Sequence, residues 1–180
     1  MAAFNPSGLS PSSYVATTST TNNLEKQNGD GQNTIQFNSE KKITPVAEVV
    51  GMLLAQIQND KKLDIPKLRS LAYLTSYDVV HKALAIVHTR RITLLVAEPS
   101  NRHYFYVKSE RKTQNPYVCF ENYCSCFDFS REVLKGRKLF CKHLLAIRFA
   151  NATGWKDLNV RKATDEEFGS WLTTTLCAGN

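Results

Sequence analysis

The sequence predicts an α+β fold: N-terminal helices, a small antiparallel sheet, and a compact cysteine and histidine segment that leads into a further helix. Three observations predict it. Apolar residues recur at helical spacing between residues 44 and 87, and two extended runs, Ile92–Glu98 and Arg102–Lys108, flank the turn signal Pro99-Ser100-Asn101. Third, Cys124-Ser125-Cys126 is followed, after 14 residues, by Cys141-Lys142-His143 at the head of another helical pattern.

Taken in order, residues 1–40 hold 17 Ser, Thr or Asn and few large apolar side chains. Such a segment buries too little surface to offset the entropy of ordering, so it is expected to be a disordered tail. The next part, 41–116, opens where Thr44 can cap a helix and Pro45 suits its first position, with Val46, Val49, Val50, Leu53 and Ile57 at intervals of three and four. This helix is expected to end near Asn59. A second helical pattern, beyond the break at Ile65 and Pro66, runs through Leu68, Leu71, Ala72, Thr75, Val79, Ala83 and Val87. The period then shortens to that of strands: ITLLVAE and RHYFYVK form a hairpin. Residues 117–155 begin with a candidate third strand, Tyr117–Phe120, and end with CKHLLAIRFA, whose helical spacing stops near Gly154. In the last part, 156–180, Thr164 and Glu167 have the spacing of a capping box, and Phe168, Trp171, Leu172 and Thr175 share a face of the helix it opens.

The 180 residues suffice for one domain, and their surplus of cations is uneven. The first 40 residues have a balance of −2, so the other 140 carry +9. The part expected to fold is the basic part. No window holds the roughly 18 to 20 apolar residues that span a bilayer, and the N-terminal stretch lacks the basic and apolar regions of a secretion signal and the arginines of a transit peptide, so no membrane role is expected. Five cysteines without export signals point to a reducing compartment, where clustered cysteines more often bind metal than pair.

Cys124, Cys126, Cys141 and His143 supply three sulfurs and one imidazole, the tetrahedral set that Zn²⁺ takes in closed structural sites. Cys141 stands where a helix begins, and the positive end of the helix dipole favours thiolate there. A histidine among the four donors favours zinc over an iron–sulfur cluster. Cys119 is close enough in sequence to compete as a ligand, although a strand position between Val118 and Phe120 suits it better to a core or edge. Cys177 is expected to be a free thiol. Four protein ligands leave no open coordination position, so the chain is not expected to be an enzyme, and Asp128 and Glu132 are a weak lead for an acid or base. His81 and His88, two helical turns apart with no acid or nucleophile patterned around them, read as ordinary helix residues.

The pattern Cys-x-Cys, spacer, Cys-x-His resembles the SWIM zinc finger, and its continuation to Ala146 in CKHLLA resembles the small SWIM-domain proteins of the Shu complex. The similarity covers the segment from Leu63 to Gly154, including the ITLL and YFYV strands and YCSC. It implies that Cys124, Cys126, Cys141 and His143 hold Zn²⁺ and that Ala146 matches the motif's alanine, at a packing or partner position. It further implies a nuclear, non-catalytic adaptor that partners a RecA-type recombinase paralogue ATPase in a Shu-like heterodimer. Such a protein supports recombinase filaments on single-stranded DNA in homologous recombination repair and meiosis.

A second expectation comes from the residues. Arg131, Lys135, Arg137, Lys138 and Lys142 crowd the candidate zinc loop, Arg148 follows, and Phe127, Phe129 and Phe140 interleave with them, as in segments that hold phosphates and stack on unpaired bases. The alternative function is therefore a stand-alone SWIM DNA-binding module of a regulatory or transposase-related kind. The competing reading is that the phenylalanines pack a small zinc core while the cations face solvent.

Overall fold

A computed structural model describes residues 45–110, 115–154 and 158–177. The expected N-terminal tail and the Thr44 cap lie outside these residues. The order is α1 (Pro45–Asp60), α2 (Ile65–Leu74), α3 (Tyr77–His88), β1 (Ile92–Glu98), β2 (His103–Val107), β3 (Tyr117–Phe120), β4 (Tyr123–Cys124), a single π-type turn (Phe129–Val133), α4 (Lys142–Ala152), β5 (Asn159–Thr164) and α5 (Asp165–Cys177).

The first helix lies where the sequence places it, but its buried stripe is narrower. Val50 and Ile57 are buried and Leu53 packs beside them, whereas Val46 and Val49 are exposed. The second helical pattern is two helices. Asp64 caps the first of them by accepting from the Lys67 amide at 3.0 Å, with Pro66 in the opening turn, so Ile65 and Pro66 start a helix and do not break one. It ends at Thr75, whose hydroxyl donates to the Leu71 carbonyl at 2.7 Å, and Ser76 is extended. Hydroxyl side chains that bond to nearby backbone favour such breaks. The break still lets Leu71, Val79, Val80, Ala83 and Ile86 reach one core, which is why a single periodicity runs through both helices. His81 and His88 are exposed on α3.

The sheet has the order β4-β3-β2-β1-β5. Its first four strands are antiparallel, as expected, with Leu94 opposite Phe105 and Phe105 opposite Cys119. The C-terminal segment contributes more than a helix: β5 joins β1 in parallel, pairing Leu94 with Val160, so the sheet as a whole is mixed. Both faces of β1 are covered, and all but one of its residues from Ile92 to Ala97 are buried. On one face Ile92, Leu94, Val96, Phe105 and Val107 join the core built with α1–α4. On the other, Leu95, Ala97, Tyr104 and Val118 meet Phe168, Trp171 and Leu172 of α5. The capping box at the head of α5 forms as read: the Glu167 amide donates to Thr164 Oγ1 at 3.2 Å, and the Thr164 amide to Glu167 Oε2 at 3.0 Å. Among the described residues no helix is long and apolar enough to cross a membrane.

Candidate metal centre

The centre is built from two supports. The first is the β3–β4 hairpin, with Glu121 and Asn122 as its tip and Phe120 opposite Tyr123. Arg148 of α4 holds that tip, donating to the Glu121 carbonyl at 3.2 Å and to Asn122 Oδ1 at 3.0 Å. Ser125, between the two cysteines, locks onto β3: its amide donates to the Val118 carbonyl at 2.9 Å and its hydroxyl accepts from the Val118 amide at 3.0 Å. This clamp bends the chain so that Cys124 and Cys126 aim at one point. Cys126 then accepts from the Phe129 amide at 3.3 Å, an amide-to-sulfur bond that favours a charged sulfur.

The second support is α4. Cys141 is its N-cap in extended conformation, and His143 follows in the first turn. The donor atoms of Cys124, Cys126, Cys141 and His143 all lie within 4.8 Å of one another, and all four residues are buried. A sulfur and a nitrogen on one tetrahedral zinc stand about 3.6 Å apart at ordinary bond lengths, and Cys124 Sγ lies 3.6 Å from His143 Nδ1. The Tyr117 ring stacks on the His143 ring, with centroids 4.2 Å apart, and fixes the plane of the imidazole.

The electrostatics of the sulfurs call for a cation. Hydrogen bonding with Cys119, foremost, pushes the Cys124 thiol up, and hydrogen bonding with Cys124 and Cys141 does the same for Cys126. Bonds from Cys124 and then Cys126 pull the Cys141 thiol far below its usual range. Three thiolates in a buried space need a dication, and the site suits Zn²⁺ in a closed structural role. Cys119 is outside the four-donor set, with its Sγ 3.4 Å from Cys124 Sγ and its strand position opposite Cys124. Once Cys124 is a thiolate it has no proton to give, so the hydrogen bond between them is donated by Cys119.

The other residues singled out in the sequence divide. Ala146 is fully buried in α4, one helical turn beyond His143. Phe129 is buried and Phe140 packs against the core, but Phe127 is 73 % exposed, with the Arg131 guanidinium 5.6 Å from its ring centre. Arg137 holds Glu132 at 3.0 Å and Lys138 holds Asp128 at 2.7 Å, so these acids are engaged within the loop. Arg131 also lies 3.4 Å from Glu132. Lys135 is exposed, and Lys142 is half-buried beside His143. Cys177 is an exposed free thiol. The sequence reading missed Tyr117 and Ser125, whose roles depend on pairing across strands; a small polar residue between two cysteines is the one signal Ser125 gives.

The chain is similar to zinc finger SWIM domain-containing protein 7 of Mus musculus, 33% identical over 105 residues that cover 57% of this chain and 66% of the relative, just under two thirds. It is also similar to the zinc finger SWIM domain-containing protein 7 homolog of Dictyostelium discoideum, 30% identical over 129 residues that cover 69% of this chain and 80% of that one. Both are named as zinc finger proteins and neither as an enzyme. No protein-family profile matches the chain.

Proposed function

Since the chain belongs to the family of zinc finger SWIM domain-containing protein 7, we propose that it is a non-catalytic adaptor whose Zn²⁺, held by Cys124, Cys126, Cys141 and His143, is structural. In this reading it partners a RecA-type recombinase paralogue ATPase in a Shu-like complex. It promotes recombinase filament assembly during homologous recombination repair and meiosis, and it works in the nucleus. The observation that carries the reading is the closed, buried set of four donors in a chain similar to SWIM-domain relatives. A closed site leaves no position for substrate on the metal, so the zinc acts by holding the β3–β4 hairpin to α4.

Purification of the tagged protein from its own cells tests this. Recovery of a RecA-type ATPase with the wild type, and its loss with Cys141→Ser, is the expected result. The second reading, a stand-alone DNA-binding module, is favoured by one feature, the exposed Phe127 beside Arg131. Recovery of chromatin with no such ATPase would replace the adaptor reading with that one.

A further inference from the structure

Cys119 is a sulfur beside the metal centre that the four-donor set does not use. It is fully buried, directly opposite Cys124 across the β3–β4 hairpin, and its Sγ is 3.4 Å from Cys124 Sγ. The ladder fixes how closely the two strands stand there. The Ser125 amide bonds to the Val118 carbonyl, so the next pair toward the hairpin tip, Cys119 and Cys124, is the kind without backbone bonds, where opposed α-carbons are about 4.5 Å apart and side chains approach most closely. A disulfide spans α-carbons about 4.4 to 6.8 Å apart. The hairpin therefore holds these two sulfurs within bonding reach without a change of backbone.

Their chemistry is unequal. At the zinc centre Cys124 is a thiolate, the form of sulfur that attacks peroxides. Cys119 keeps its proton and, being outside the donor set, is free of the metal to act as the second, resolving thiol. Cys126 and Cys141, the other sulfurs near Cys124, are both ligands. Solvent comes close on one side: a cavity of about 340 Å³ is lined in part by Tyr117 and His143, and His143 Nδ1 is 3.6 Å from Cys124 Sγ. Burial of both sulfurs selects an oxidant as small as hydrogen peroxide over a bulky disulfide such as that of glutathione.

We propose that Cys119 and Cys124 form a redox switch on the zinc centre, which hydrogen peroxide closes as a cross-strand disulfide and a thiol reductant reopens. The Cys124 thiolate attacks one peroxide oxygen; the O–O bond breaks, hydroxide leaves, and Cys124 becomes a sulfenic acid. The Cys119 sulfur then attacks the Cys124 sulfur. An S–S bond forms as the S–O bond breaks, and the departing hydroxide takes the Cys119 proton and leaves as water. Each sulfur has given up one electron, and the peroxide has taken both. Zinc is left with Cys126, Cys141 and His143, one donor short, so its tie between the hairpin and α4 weakens and the metal is released. This inference rests on the structural-zinc reading and adds the regulation of that site.

The test uses the full-length, zinc-loaded chain with Cys177→Ser, which removes the exposed thiol that would join two chains. Zinc content is measured first; a chain purified without zinc overturns the metal reading and this inference with it. Hydrogen peroxide is then added, and zinc release is followed with a chromogenic chelator. The expected result is loss of the zinc, a metal-free mass lower by two hydrogens, and recovery of zinc binding after a dithiol reductant and fresh zinc. Cleavage after Glu121 separates Cys119 from Cys124, so the disulfide is read as two joined peptides, and fragmentation identifies Cys124 as the partner. Cys119→Ser keeps a donor to Cys124 and should keep the zinc, but it has no sulfur to resolve the sulfenic acid. The recoverable share of its peroxide-driven zinc loss is expected to fall from nearly all to none. Wild-type protein that keeps its zinc in peroxide, a disulfide from Cys124 to Cys126 or Cys141, or recovery in Cys119→Ser equal to that of the wild type overturns the proposal. If the serine variant does not fold, the disulfide map of the wild type decides alone.

Discussion

Replacing Ala146 with leucine asks whether α4 is packed as tightly against the zinc centre as the geometry implies. Ala146 is one helical turn beyond His143 and is fully buried, between neighbours Leu145 and Ile147 that are themselves buried. A leucine adds three carbons where there is no exposed surface to receive them. Overpacking of a filled core costs about 1–3 kcal/mol. For a fold intermediate between the 100-residue and 150-residue classes, 1 kcal/mol shifts the melting temperature by roughly 4 °C, so the expected fall is about 4–12 °C with zinc in excess. Thermal unfolding followed by circular dichroism measures it. Zinc affinity should weaken in the same variant, since relief of the clash moves the turn that carries His143. Ala146→Gly keeps the space free and should cost only about 1 kcal/mol, through helix propensity. An unchanged melting temperature in Ala146→Leu together with loss of a protein partner would refute the reasoning, because it would place Ala146 at an interface and not inside the fold.

Other outcomes follow from the same geometry. Cys141→Ser and His143→Ala should each lose the single zinc expected per chain, read by metal analysis of the purified protein; full zinc content in both would remove the site. Cys119→Ala should keep one zinc and, with cobalt in its place, the charge-transfer intensity of three thiolates, whereas a loss of one thiolate's intensity would make Cys119 a ligand. Asp165 accepts hydrogen bonds from Ser100 and then from Arg102, which hold its carboxyl below the ordinary value. A carboxyl whose pKa is lower in the folded chain adds stability that is present above its unfolded value, near 3.9, and is lost as pH falls through the folded one. The urea midpoint of the wild type should therefore approach that of Asp165→Asn below about pH 4, and parallel curves over that range would contradict the contact. Chelation of the zinc should raise hydrogen exchange in α3 as well as in α4, and protection of α3 that survives chelation would separate the helices from the metal.

Much of the fold was legible because burial wrote it as periodicity. Ile92–Glu98 is nearly all apolar because α1–α4 cover one face and α5 the other. The capping box of α5 was legible because both partners are three residues apart in one chain segment. What was missed depends on contacts distant in sequence. Asn159–Thr164 is an edge strand with all but Ala163 exposed, its Lys162 paired with Glu98 and its Arg161 4.1 Å over Trp171. Such a strand carries charges for solubility and shows no apolar alternation. The break at Thr75 and Ser76 was hidden because both helices point their apolar stripes at one core. At the metal centre the four donors were legible from residue type and spacing. The clamp of Ser125 on Val118 and the stack of Tyr117 on His143 were not, since each is made only once the hairpin folds and α4 packs on the sheet.

The position of the four donors also decides what kind of zinc site this is. Cys124, Cys126 and Cys141 belong to the same buried cluster as Val50, Ile57, Leu71 and Ile86 of the N-terminal helices and Phe149 of α4. The metal site is therefore not a finger appended to a domain that is already complete. A chain of this length has a limited apolar core, and here part of that core is thiol. Without a cation, three sulfurs and an imidazole in such a place are a cost: desolvated polar groups with neighbours that repel further ionisation. With Zn²⁺ the same groups become bonds that tie the β3–β4 hairpin to α4, and α4 in turn packs on α3 and α1. Metal and helices thus stabilise one another.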